Sequence, residues 1–227
     1  MSIAQAIQDY HQSDVGYACD EFWDHKCEVE ATGGSLLSEE HIAETSHRLL
    51  SYLFKFGMTR KTKLITLTDA EFGQVLTALN DAYQAVHDVR LEMLSQAHQP
   101  SVVTLFKTTA RALRDQDVSP TITLVTKMHM ALWGAVPAYD RLFRYAYRKT
   151  FVGKPFPSRY TTLFDSLLRL RDRYDDKWAP QIAQLDPSVR QTRSGGHQPI
   201  PVARLIDMAF WQYGNLHDQG HHTRYDF

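Results

Sequence analysis

Cysteine is nearly absent from this chain: Cys19 and Cys27 are the two thiols in 227 residues. Two thiols build no disulfide framework. A zinc site there would need two further ligands at a recognisable spacing, which no second Cys/His pair supplies, although His25, Asp20, Asp24 and Glu28 lie close by in sequence. An excess of one charge is also missing. Lys plus Arg number 25 and Asp plus Glu 26, for a net charge of −1, so any electrostatic case for a partner must rest on local clusters. No segment approaches the roughly 20 uninterrupted apolar residues of a membrane span. The stretch Met1 to Asp9 has no basic region followed by an apolar run, so no secretory signal is expected. A cytoplasmic protein with reduced thiols, no membrane partner, no metal and no cofactor is the resulting expectation.

What is present is helical periodicity. At 43% hydrophobic and 22% charged residues the composition is that of a folded globular protein. Apolar residues recur at helical spacing through most of the chain. They predict an all-α, single globular domain of roughly eight helices spanning 1–227. The glycine pair Gly33-Gly34 marks 1–35 as an N-terminal extension, and Gly195-Gly196 marks 186–200 as a flexible loop. Gly214 reads as the stop of the last helix, followed by a mobile tail over 215–227 that carries His217, His221 and His222. Phe72, Val75, Leu76, Leu79 and Tyr83 begin a stripe that reads as one long helix from about Thr68 to Gln96. The short run Leu64-Ile65-Thr66-Leu67 reads as an extended connector behind the basic loop Arg60-Lys61-Thr62-Lys63.

The stretch Thr126-Lys127-Met128-His129-Met130-Ala131-Leu132-Trp133 is apolar on two sides of the helical wheel, as in a helix buried on both sides. Lys127 and His129 are the polar side chains it must accommodate. A lysine in such a setting finds a carboxylate, reaches water, or lowers its pKa and serves as an amine nucleophile. Asp140, thirteen positions on and past Pro137, is the carboxylate within reach if the flanking helices fold back. It also stands in the first turn of the next helix, where the helix dipole favours it. A structural ion pair of Lys127 with Asp140, and a hydrogen-bonded core His129, are the plain alternatives to catalysis. Beyond Pro137, Arg141, Arg144, Tyr145, Arg148 and Lys149 form a basic and aromatic cluster of the kind that meets phosphates and bases. A solvated helix face would carry the same residues. In the last strong helix Arg204, Asp207 and Trp211 are spaced so that they can meet.

Together, Thr126-Lys127-Met128-His129, Val136-Pro137-Ala138-Tyr139-Asp140 and the late Arg204 to Gly214 stretch resemble a group of bacterial helical proteins. Its pattern is Ser/Thr-Lys, a nearby His, Pro, an aromatic-Asp pair, and a late Asp, Trp and Gly. More distantly, 120–214 is similar to the helix-hairpin-helix DNA glycosylase superfamily. That resemblance implies a DNA-acting glycosylase or lyase. Lys127 would be the amine attacking the sugar and Asp140 the carboxylate assisting base departure, with DNA as partner and His129 close to the chemistry. The glycine-rich hairpin of that superfamily has no counterpart in 118–123, which contains no glycine, and the lysine-to-aspartate interval is shorter. The alternative is a non-catalytic nucleic-acid-binding or protein-binding domain in which Lys127 and Asp140 are structural. A toxin or phage-defence effector would present the same residues.

Overall fold

Helix α6 (Ile122–Leu132) is the element the others enclose, and every residue from Leu124 to Leu132 is buried. The two-sided apolar pattern of that stretch therefore has the meaning its sequence suggests. The computed structural model describes residues 2–13, 16–58 and 63–220. Among them the architecture is all-helical, with nine α-helices of nine residues or more and one of five. Helices α1 (Ile3–His11), α2 (Tyr17–Ala31), α3 (Ile42–Lys55), α4 (Asp69–Gln84) and α5 (Gln99–Asp115) precede the central one. After it come α7 (Arg141–Thr150), α8 (Tyr160–Arg173), the short α9 (Ala179–Ala183) and α10 (Val202–Asp218). Helices α2, α3 and α5 pack on α6, α4 packs on α3 and α5, and α10 packs on both α1 and α7.

Local chemistry accounts for several of the helix ends. Ser2 caps α1 by accepting from the Gln5 N–H. Thr68 and Glu71 form a reciprocal capping box at the start of α4. Thr121 accepts from the Leu124 N–H to open α6, as polar side chains at that position commonly do. Helix α6 closes on Gly134, whose φ of 77° suits a residue without a side chain.

The structure redraws several of the boundaries. The 1–35 segment is an integral part of the core, with Ile3, Ala6 and Ile7 fully buried. Its i, i+3, i+4 spacing is the signature of a packed face, and α10 covers it. The long helix from Thr68 ends at Gln84, and the next turns include a 3₁₀ segment, Leu91–Met93. Val86, Leu91 and Leu94 are nevertheless buried, because separate turns can deliver apolar side chains to a core at the same spacing as a continuous helix. Lys63–Thr66 is a 3₁₀ turn rather than an extended connector. The Thr66 hydroxyl there donates to the Lys63 carbonyl at 2.8 Å, a local bond that competes with extended backbone. Residues 59–62, which complete the basic loop, and 221–227, with His221 and His222, lie outside the described residues.

Gly214 does not stop α10, which runs on to Asp218. A Cβ at Gly214 would lie 2.6 Å from the Leu142 carbonyl oxygen, so the glycine permits the close crossing of α10 over α7. The 186–200 loop is tied to the protein along its length. A 3₁₀ turn spans Pro187–Arg190, and Gln191 bridges to Pro199. Asp24 on α2 accepts hydrogen bonds from the Thr192 and Ser194 hydroxyls and the Gly196 N–H. Arg193 pairs with Asp20 at 2.9 Å.

Candidate functional site

The chain leaving α6 returns over it, and three hydrogen bonds at Ala138 and Tyr139 fix the return. The Thr126 hydroxyl donates to the Ile122 carbonyl at 2.8 Å and accepts from the Tyr139 N–H at 3.0 Å. Thr123 donates to the Tyr139 carbonyl at 2.9 Å. Asp207 of α10 accepts from the Ala138 N–H at 3.0 Å. Held this way, Asp140 becomes the cap of α7, with Oδ1 accepting from the Leu142 and Phe143 N–H groups, each at 3.0 Å. Its other oxygen stands 3.4 Å from Lys127 Nζ.

Lys127 and Asp140 therefore meet, but as an enclosed pair. The Lys127 side chain is 6% exposed and that of Asp140 19%. The ammonium also sits 4.5 Å from the centre of the Phe56 ring, a cation-π contact that further occupies it. The amine thus has a carboxylate and an aromatic face as neighbours, and little path to solvent.

His129 lies in the core, remote in character from an acid-base group. Burial lowers its pKa to about 3, so the ring is neutral. Its Nε2 is 2.7 Å from the Thr109 hydroxyl, which itself donates to the Leu105 carbonyl. With that hydroxyl proton committed, the ring donates from Nε2, and Nδ1 is left without a partner.

Behind the Lys127–Asp140 pair lies a second buried pair, Arg204 with Asp207 at 2.5 Å. Arg204 also donates to the Tyr10 hydroxyl at 2.8 Å and stacks over its ring at 5.2 Å. Trp211 meets the same Tyr10 ring edge-on at 5.4 Å. The three residues spaced for contact on α10 are thus joined through Tyr10, which sequence spacing within α10 could not reveal. Burial pushes the Asp207 carboxyl up to about 6, with Arg204 opposing the rise and Asp140 adding to it. Cys19 lies close enough to both pairs to feel their charge, and burial raises its thiol to about 11, which keeps it protonated and unreactive.

The basic cluster occupies the outer side of α7, whose inner side buries Phe143, Ala146 and Tyr147. Arg141, Arg144, Arg148 and Lys149 are all exposed. Arg141 is paired with Asp218 at 2.5 Å. Arg144 lies over the Phe156 ring at 4.7 Å, and Lys149 is 5.6 Å from the Tyr145 ring. No carboxylate among the described residues stands within ion-pairing distance of Arg144, Arg148 or Lys149. Tyr145 is half-buried, with its ring stacked 3.9 Å from that of His217, so one of its faces is already covered.

Cys19, Cys27 and their neighbours go separate ways, and among the described residues no three His, Cys, Asp or Glu side chains converge as a metal site would require. No helix is long and apolar enough to cross a membrane among those residues. No family profile, curated protein or solved structure matches the chain.

Sequence reasoning passed over a further site. Lys26 on α2 is 3% exposed. It is held between the rings of Trp23 and Tyr83, at 5.4 and 6.0 Å from their centres, and faces a cleft of about 670 Å³. The available signal was Trp23 three residues before Lys26 on a helix otherwise rich in charge.

Proposed function

We propose that the protein is a non-catalytic nucleic-acid-binding domain that uses the outer face of α7, with Lys127 and Asp140 as the scaffold that sets this helix in place. The observation that carries the reading is the combination on one helix of Arg144, Arg148 and Lys149, exposed and without carboxylate partners, opposite an inner face that is fully packed. Exposed cations without carboxylate partners bind phosphates by releasing condensed counterions. Asp140 supports the arrangement twice, by capping α7 and by drawing Lys127 to its N-terminus.

The glycosylase or lyase reading requires the Lys127 amine to reach a sugar carbon. The burial of that amine, its carboxylate partner and the capping duty of Asp140 all favour the scaffold role instead. Borohydride reduction in the presence of DNA carrying abasic sites separates the two readings. A scaffold lysine gives no adduct, whereas a covalent adduct that disappears in Lys127→Met would replace this proposal with the lyase. Binding itself is tested by fluorescence anisotropy with duplex and single-stranded oligonucleotides. Loss of affinity in Arg144→Ala/Arg148→Ala supports the α7 face, and unchanged affinity removes it.

A further inference from the structure

The cleft beside Lys26 lies between the end of α2, the end of α4, the close of α6 and the segment leading into α10. None of the α7 residues takes part in it, so its occupant is a separate question from nucleic-acid binding. Its volume of about 670 Å³ falls within the roughly 300–1,000 Å³ typical of small-molecule sites.

One wall is rigid and apolar. The Trp23 indole N–H donates to the Pro199 carbonyl at 3.0 Å. Its six-membered ring lies so close to Gly134 that a Cβ there would stand 2.6 Å away. Pro199 and Pro201 continue this wall. Fixed rings and prolines of this kind offer a flat surface at little entropic cost.

The polar side of the cleft carries two cations, Lys26 and Arg90, and three carboxylates, Glu30, Asp88 and Glu92, with Asp88 3.2 Å from His87; Lys26 is the most deeply buried of them. Its ammonium accepts no help from Tyr83 beyond the hydroxyl oxygen, 3.3 Å away, because that hydroxyl donates to the Leu132 carbonyl. The anion it needs is supplied by Glu30, one turn further along α2. This is a poor helical partner. A carboxylate in the last turn opposes the helix dipole, the lysine-before-glutamate order is the weaker one for an i, i+4 pair, and the Glu30 side chain is 40% exposed. Glu30 can therefore exchange its place for water at little cost, while the buried ammonium cannot. Arg90, exposed on the same cleft, has no carboxylate within ion-pairing distance among the described residues.

We infer that this cleft binds a small organic anion with a flat aromatic body, whose oxyanion displaces Glu30 from Lys26 and pairs with Arg90 while its ring lies along Trp23. Glu30 is then an internal competitor, holding the cation in the unliganded protein. Phosphate monoesters and carboxylates share this chemistry, and paired probes distinguish them: adenosine monophosphate against adenosine, and indole-3-acetate against indole-3-acetamide.

Calorimetric titration of the full chain is expected to show the anionic member of at least one pair binding about tenfold or more tighter than its neutral counterpart. Whichever pair responds names the oxyanion. Glu30→Gln should bind that anion several-fold tighter than the parent, and Arg90→Ala about tenfold weaker. Lys26→Met should abolish binding, but a misfolded Lys26 variant would leave the test intact, because Glu30 and Arg90 are exposed and their variants decide it. Equal binding of charged and neutral probes, no binding of any of the four, or a Glu30→Gln protein that binds no tighter would overturn the inference.

Discussion

His129 carries a stability contribution that depends on pH. Its ordinary pKa of 6.5 falls to about 3 in the folded core. Between those values the unfolded chain takes up a proton that the folded chain refuses, so stability is lost as the pH falls, by about 1.4 kcal/mol per pH unit at most. Asp207, raised from 3.8 to about 6, acts in the opposite sense over much of the same range, since the folded state protonates first and gains stability on acidification. The two slopes partly cancel in the whole protein. Urea unfolding of the parent and of His129→Met across pH 4 to 7 isolates the first, and the stability advantage of the parent is expected to shrink steadily below about pH 6.5. A difference independent of pH would mean that the ring is not held neutral. At Asp140 the cap and the ion pair separate by chemistry. Asp140→Ala removes both and leaves the buried Lys127 ammonium without its carboxylate, with an expected cost of about 3–5 kcal/mol, whereas Asp140→Asn keeps a good cap and costs about 1 kcal/mol less. Equal losses by chemical denaturation would show that the Lys127 contact, not the cap, is what matters there. The Arg204–Asp207 pair should behave as buried ion pairs do. Asp207→Ala leaves the guanidinium and the Ala138 N–H without their acceptor, with an expected loss of about 3–5 kcal/mol.

Among the elements, α6 and α7 were the most legible in the sequence, and the reasons are physical. An apolar pattern on both sides of Thr126 to Trp133 has no stable solution except enclosure, and Asp140 after a proline is a strong helix start. The meeting of Lys127 with Asp140 depends in addition on the chain folding back after Pro137, which the bonds of Thr123 and Thr126 to Tyr139 bring about. What stayed hidden depended on other elements. Tyr10 joins Arg204 to Trp211 from a helix nearly two hundred residues earlier. Asp20 and Asp24 stand beside Cys19, His25 and Cys27 in sequence, and nothing in their spacing shows that they hold the 192–196 segment in place. Gly214 was mistaken for a stop because a glycine at a helix end and a glycine at a helix crossing look alike in one dimension. The crossing makes a prediction. Gly214→Ala improves helix propensity by roughly 1 kcal/mol, but its methyl group would push against the Leu142 carbonyl. A net loss of about 1–3 kcal/mol is expected on thermal or chemical unfolding. A stabilised variant would mean that α7 and α10 are free to separate.

On the scale of the whole molecule, the balanced overall charge leaves association to local surfaces. Two stand apart: the outer face of α7 and the Lys26 cleft. The Lys127–Asp140 pair links α6 to α7, and Asp207, paired with Arg204 within α10, holds the turn before α7 through the Ala138 N–H. The framework and the binding surface are thus continuous but distinct, so substitutions in one should leave the other's chemistry intact. Lys127→Met is expected to change stability without altering affinity for nucleic acid, provided the variant is compared under conditions where it is folded. The salt dependence of duplex binding measures the surface directly. If Arg144, Arg148 and Lys149 each neutralise one phosphate, log K should fall against log salt with a slope of about −2.7. In Arg144→Ala/Arg148→Ala the slope should flatten to about −0.9, with weaker binding at every low-salt point. The same slope and affinity in parent and variant, or no detectable binding by the parent at low salt, would contradict the assignment of α7 as a nucleic-acid interface.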